Sequence, residues 1–135
     1  GEKVYSPIVT PGEADFIIAF EKLEAARYAP FLKADGKIIV NTQEIDPMPV
    51  IIGAAEYPKD VLSELSDKGL SVEALDALTP AVEAGSAKAV NIVLMGRFAK
   101  YFDIPREKWI TAIENTVNPK FVEMNKKAFE LGYNS

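Results

Sequence analysis

The 135-residue sequence has no cysteine and no histidine. Their absence excludes Cys/His and Ser/His nucleophilic machinery from these residues, along with disulfides, thiolate-held iron–sulfur clusters and ordinary zinc sites. Acid–base chemistry would fall to Asp, Glu, Lys or Tyr. No apolar run approaches the ~20 residues that span a bilayer. No signal-peptide pattern is seen, and the expected location is the cytoplasm. Fifteen basic and 20 acidic residues give a net charge of -5 with no long run of either sign. A nucleic-acid groove or an anionic-membrane patch needs clustered Lys and Arg, so neither is expected. Repeats and low-complexity segments are also missing.

What is present is apolar enough to build a core, at 48% of residues, and residues 1–135 read as one domain. The organising stretch is Asp15–Asn41, DFIIAFEKLEAARYAPFLKADGKIIVN, which reads as strand, helix, strand. Phe16–Phe20 is a short continuous apolar run, as a parallel strand covered on both faces requires. Lys22–Ala29 is rich in helix formers and stops at Pro30. Asp35-Gly36 is expected to turn, and Lys37–Val40 to form the second strand. Such a crossover is almost always right-handed. The fold class expected is therefore α/β, with a Rossmann-like, mostly parallel sheet, helices on both faces and a helical C-terminal third.

On either side of this unit the signals are more varied. Val4–Val9 alternates like a strand, with Pro7 marking an edge or an end. Pro47-Met48-Pro49 predicts a stiff approach to a short strand at Val50-Ile51-Ile52. Pro58 opens a predicted helix to about Lys68, with Val61, Leu62 and Leu65 inward and Gly69 as its stop. Val72–Ala77 is placed as a strand. A short helical turn at Pro80–Glu83 ends at Gly85, and Ser86 caps a helix to about Tyr101. That helix has almost no polar face and is expected to lie buried against the sheet. Two further helices begin at Asp103-Ile104-Pro105 and Asn118-Pro119, the latter ending at Gly132. Trp109, Phe121 and Phe129 fit the helical period as core residues.

In open parallel sheets, ligands sit beyond the carboxyl ends of the strands. There the candidates are Glu21, Asn41, Thr42 and Asp76, with Lys22, Leu78 and Thr79 nearby. Phe20-Glu21-Lys22 has no glycine, so its backbone cannot cradle a phosphate, and Glu21 would repel one. A ribose hydroxyl or an amide could still meet Glu21. Each candidate also has a structural reading. Glu21 and Glu24 suit the positive end of a helix dipole. Arg27 suits an i,i+3 pair with Glu24, and Asn41 suits a turn. Asn91, an amide in the most apolar helix, is a further crevice candidate; its structural reading is a buried hydrogen bond to a neighbouring strand end, with Asp76 as a candidate partner. No residue is assigned a catalytic or metal-binding role.

Asp15–Asn41 resembles the gamma-type catalytic domain of the 2-oxoacid:ferredoxin oxidoreductases. There a strand ends in a Phe-Glu-like pair, a Glu-Ala-x-Arg-like helix follows, and a Gly-x-Ile-x-Val-Asn strand comes next. AVNIVLMGRFAKYFDIPREKWITAIENTVNPKFVEMNKKAFELGY is similar to the family's buried Val-Asn helix with its Gly-containing turn, its Pro-opened helix and its closing segment. The resemblance covers Tyr5–Tyr133 and is nearest to the small (beta) subunits of the indolepyruvate branch. The family's first strand, its Gly-x-Gly-Gly-Gln-Gly turn and its Ser-Gln-Arg-Gly-Gly loop have no counterpart here. The expectation is thus the C-terminal two-thirds of such a subunit, without the first strand-turn-helix of the domain.

The resemblance implies a complex that oxidatively decarboxylates an aryl pyruvate with coenzyme A as co-substrate. The products are an acyl-CoA, carbon dioxide and reduced ferredoxin. It places thiamine diphosphate and iron–sulfur clusters on a large partner subunit and none on this chain. Ferredoxin would be met only indirectly. Homo-oligomeric or swapped association is expected to cover an exposed sheet edge. Two rival readings are a non-enzymatic α/β interaction or regulatory module and a nicotinamide-dependent Rossmann enzyme. The second needs a glycine-rich phosphate turn, which these residues do not supply.

Overall fold

A computed structural model describes residues 8–135, which divide into two compact units. The first comprises the described part of Gly1–Val40 together with Glu44–Ala74; the second is Asn41–Gln43 with Leu75–Ser135. Among the described residues, no helix is long and apolar enough to cross a membrane.

The first unit is built on strand β1 (Ala14–Ala19), helix α1 (Lys22–Tyr28) and strand β2 (Leu32–Asn41). β1 and β2 run parallel, with Ile17 opposite Ile38 and Ala19 opposite Val40. β2 is the middle strand of the order β1-β2-β3, where β3 is Ser71–Leu75. Ile38, Ile39 and Val40 are fully buried, so consecutive residues of β2 are covered on both faces. β1 departs from that expectation. It is an edge strand of the described sheet, and its Ile18 and the following Phe20 are 36% and 53% exposed.

The core of this unit is Ala19, Ala25, Leu32, Ile38, Val40 and Leu65, flanked by Ile17, Leu62 and Val72. Pro30 does not simply stop α1; it sits inside a 3-10 turn, Ala29–Phe31, that leads directly into β2. Asp35-Gly36 does not end or reverse the chain either; it lies inside β2, in an irregular stretch between Leu32, opposite Ala14, and Lys37, opposite Phe16. Gly36 lies beside a register shift between Ala14 and Phe16, where a β-carbon would meet the Asp15 carbonyl at 2.9 Å. The glycine marks a close backbone approach within a strand, one of the recognised uses of glycine there.

Helix α2 (Met48–Ile51) replaces the strand expected at Val50-Ile51-Ile52. Helix α3 (Val61–Asp67) follows, burying Val61 and Leu65. It begins at Val61 rather than at Pro58, where the sequence places its start, and Gly69, at φ 84°, follows its end as expected. Residues 4–7 of the expected N-terminal strand lie outside the described residues, while Ile8 and Val9 are exposed and belong to no strand.

The second unit is helical: α4 (Leu78–Ala84), α5 (Val90–Ala99), α6 (Arg106–Thr116) and α7 (Val122–Tyr133). Ser86 accepts the Lys88 N–H at 3.2 Å, capping the 3-10 turn that opens α5. The main partner of α5 is α7, where the sequence suggested the sheet. Their backbones touch at two glycines: a β-carbon at Gly96 would run into the Phe129 carbonyl, and one at Gly132 into the Val93 carbonyl. Gly132 therefore lies inside α7 as a packing residue and does not end the helix. Phe129 is fully buried and stacks between Trp109 and Tyr133, with centroids 6.2 and 5.8 Å away. Phe121, expected in the core, is 44% exposed because it sits in the 3-10 turn before α7 rather than on its buried face.

Candidate functional site

The carboxyl end of β1 delivers Phe20 and Glu21 to the start of α1, and Glu21 becomes the N-cap. An uncapped helix leaves its first N–H groups unpaired. Here Glu21 Oε2 accepts the Glu24 N–H at 3.1 Å. The other carboxylate oxygen accepts the Ile45 N–H at 3.2 Å and the Tyr57 hydroxyl. Glu21 is 5% exposed, so this charge is held inside by three donors rather than by a cation. Burial, and then the adjacent Glu21 carboxylate, push the Tyr57 phenol well above its usual range. A phenol that keeps its proton remains a hydrogen-bond donor to the buried Glu21 side chain.

Glu21 thus fixes both feet of the loop between Ile45 and Tyr57. Its neighbour Lys22 pairs with Glu44 at 2.9 Å just before the loop begins. Arg27 pairs with Glu24 at 3.2 Å on the exposed side of α1, as the i,i+3 spacing suggests. Beside this cluster is a cavity of about 330 Å³, lined in part by Glu21, Arg27, Ile45 and Asp46.

The loop itself is compact. The Ile51 and Ile52 N–H groups bond to the carbonyls of Pro47 and Met48 at 3.1 and 3.0 Å. Gly53 N–H then bonds to Val50 and Ala54 N–H to Pro49, at 3.0 and 2.8 Å. Those last two bonds form a Schellman closure, which requires a left-handed residue, here Gly53 at φ 77°. Neither Tyr57 nor this loop was legible as a site. The apolar run Val50-Ile51-Ile52 suggests a strand, and the stronger signals are its two prolines and Gly53, which close a helical turn.

Asn41, Thr42 and Asp76 come together in the second unit. Asn41 is fully buried; its Oδ1 accepts the Ala77 N–H at 3.0 Å, and its Nδ2 donates to Gln43 at 3.3 Å. Thr42 N–H bonds to the Leu75 carbonyl at 3.0 Å. Asp76 accepts the Thr79 N–H at 3.0 Å at the first turn of α4. Hydrogen bonds from Thr79, side chain first and then backbone, hold the Asp76 carboxyl below the usual carboxylate range.

Asn91 is not part of this cluster. It is exposed, its Oδ1 accepts the Ile92 N–H at 2.9 Å, and Asp76 is not its partner. α5 does have an outer face, carried by Asn91 and Met95 four residues apart. Two amides are buried among the described residues: Asn41, and Asn125 of α7, whose Nδ2 donates to the Phe121 carbonyl at 2.8 Å. Among the described residues, no cluster of three or more His, Cys, Asp and Glu side chains could hold a metal ion. Without a thiolate or an imidazole, the chain's donor set does not fit an iron–sulfur cluster.

A short parallel sheet followed by a helical part is also the fold of a solved keto/oxoacid ferredoxin oxidoreductase gamma subunit from Geobacter sulfurreducens. The two match with a TM-score of 0.65 at 22% identity, over 94% of this chain and 66% of that one. In sequence, the chain is 38% identical to the indolepyruvate oxidoreductase subunit IorB of Thermococcus kodakarensis, over 98% of this chain and 68% of that protein. It is also 38% identical to the IorB subunit of Archaeoglobus fulgidus, over 97% of this chain and 67% of that protein. The chain spans about two thirds of the length of these relatives. The sequence profile of the pyruvate ferredoxin/flavodoxin oxidoreductase family matches residues 1–135, and the chain belongs to that family.

Proposed function

We propose that this chain acts as a small subunit of a complex that oxidatively decarboxylates an aryl 2-oxoacid such as indolepyruvate. Coenzyme A takes the acyl group, carbon dioxide leaves, and the electrons pass to ferredoxin. The observation that carries this reading is the 38% identity, over nearly the whole chain, to proteins named as indolepyruvate oxidoreductase subunits. Residues 1–135 serve as one gamma-type domain of that subunit. Thiamine diphosphate and the iron–sulfur clusters reside on a large partner subunit, a division of labour supported by the absence of Cys and His here. Glu21 and Asn41 act in this reading as structural polar groups, because both are buried with protein partners. The contribution of this chain is then to complete the complex rather than to bring a reacting group.

The test is anaerobic co-expression of the full-length subunit with its large partner, assayed for viologen reduction dependent on both indolepyruvate and coenzyme A. Activity should require both chains. A large subunit fully active by itself, or a small subunit recovered with no iron–sulfur partner, would overturn the reading in favour of a separate binding module.

A further inference from the structure

The loop held by Glu21 carries a run of exposed apolar side chains in the first unit. Ile45, Met48, Ile51 and Ile52 are 55, 65, 66 and 69% exposed. Pro47–Ala55 contains no charged residue, and its shape is fixed by its own backbone hydrogen bonds and by two prolines. Exposed isoleucines in a rigid turn, rather than in a mobile tail, cost little entropy to dock. The rim is acidic. Asp46 and Glu56 flank the apolar run and make no ion pair among the described residues, while Glu44 is already neutralised by Lys22.

We infer that the Ile45–Tyr57 loop is a preformed knob that docks into an apolar pocket edged by Lys or Arg on the large subunit of the complex. The inference rests on the reading above for the identity of that partner. The charge pattern selects the occupant. A second copy of the loop would bring the same carboxylates face to face, and an anionic lipid surface would be repelled by them. A basic-rimmed protein pocket satisfies both the isoleucines and the carboxylates. Glu21 is the positioning residue, since one carboxylate holds the Ile45 N–H and the Tyr57 hydroxyl together.

The experiment uses the full-length subunit and its co-expressed large subunit, with association measured by interferometry at several salt concentrations. Ile51→Asp combined with Ile52→Asp should weaken association roughly 30-fold or more, the scale of losing a buried anchor. Asp46→Lys with Glu56→Lys should weaken it and remove its salt dependence. Both side-chain pairs lie outside the core, so circular dichroism and melting should match the parent. Phe121→Ser, in the second unit, serves as an exposed apolar control and should leave binding unchanged. Unchanged affinity of the double Asp variant would overturn the docking site while leaving the subunit reading intact. Failure of the parent chain to bind the large subunit would overturn both. A parent that self-associates and becomes monomeric on Ile51→Asp would overturn it in favour of a homodimer.

Discussion

Glu21 accepts the hydroxyl of Tyr57, 36 residues further along the chain, with the same carboxylate that caps α1. A capping residue would ordinarily face solvent. This one is buried because the loop closes over it, and the phenol supplies the donor that water would otherwise provide.

Tyr57→Phe keeps the ring and removes that donor. A hydrogen bond to a charged acceptor contributes about 1.5–3 kcal/mol, and two other donors remain on Glu21, so a loss of about 1–2 kcal/mol is expected. The pH dependence has a definite sign. The folded-state pKa of Tyr57 is raised, so its contribution is complete below the ordinary tyrosine value of about 10 and is lost as pH rises above it. Urea melts from about pH 8 to about pH 11 should show the parent losing its advantage over the Phe variant on the alkaline side. A constant difference across that range would refute the assignment.

Gly96→Ala and Gly132→Ala each insert a methyl where two helix backbones meet. In the first case the Tyr133 nitrogen is 2.8 Å from the new atom, and in both a carbonyl of the facing helix blocks it. Since neither obstacle is the end of a flexible side chain, α5 and α7 must separate. The expected cost is about 2–3 kcal/mol or more for each variant, read as a lowered thermal midpoint. The paired variant should cost less than the sum, because one separation relieves both clashes.

Asn41→Leu removes the acceptor of the Ala77 N–H in a fully buried position. The orphaned amide should cost about 1–3 kcal/mol in chemical denaturation. Hydrogen exchange at Ala77 should accelerate by more than at amides of α7. If Ala77 exchange is unchanged, the bond to Asn41 is not what protects it.

Short continuous apolar runs made the sheet legible. The strand-helix-strand order of Asp15–Asn41 and the four C-terminal helices follow from local pattern, while the third strand, Ser71–Leu75, is placed by its position after a helix against a poor β-propensity. Where that pattern misled, a tertiary contact had replaced a local signal. Asp35-Gly36 has the composition of a turn, yet the Leu32 side chain and the Asp15 carbonyl together leave no room for a side chain at Gly36. Gly132 similarly looks like a helix stop but is a contact with Val93. Asn91 looked buried because its neighbours are apolar, but the helical period places it outward with Met95. Glu21 and Asn41 were legible as strand-end positions. Their partners Tyr57 and Ala77 were not, since each is 36 residues away and no spacing rule links them.

The two feet of the Ile45–Tyr57 loop stand on a single carboxylate, which makes the segment between them exchangeable. Lengthening a closed loop costs only about 0.6 kcal/mol per doubling of its residues. A lineage could therefore redraw the tip as its partner changed, without touching β1, β2 or the core beneath. Recognition could then diverge rapidly above a scaffold whose own sequence stays put.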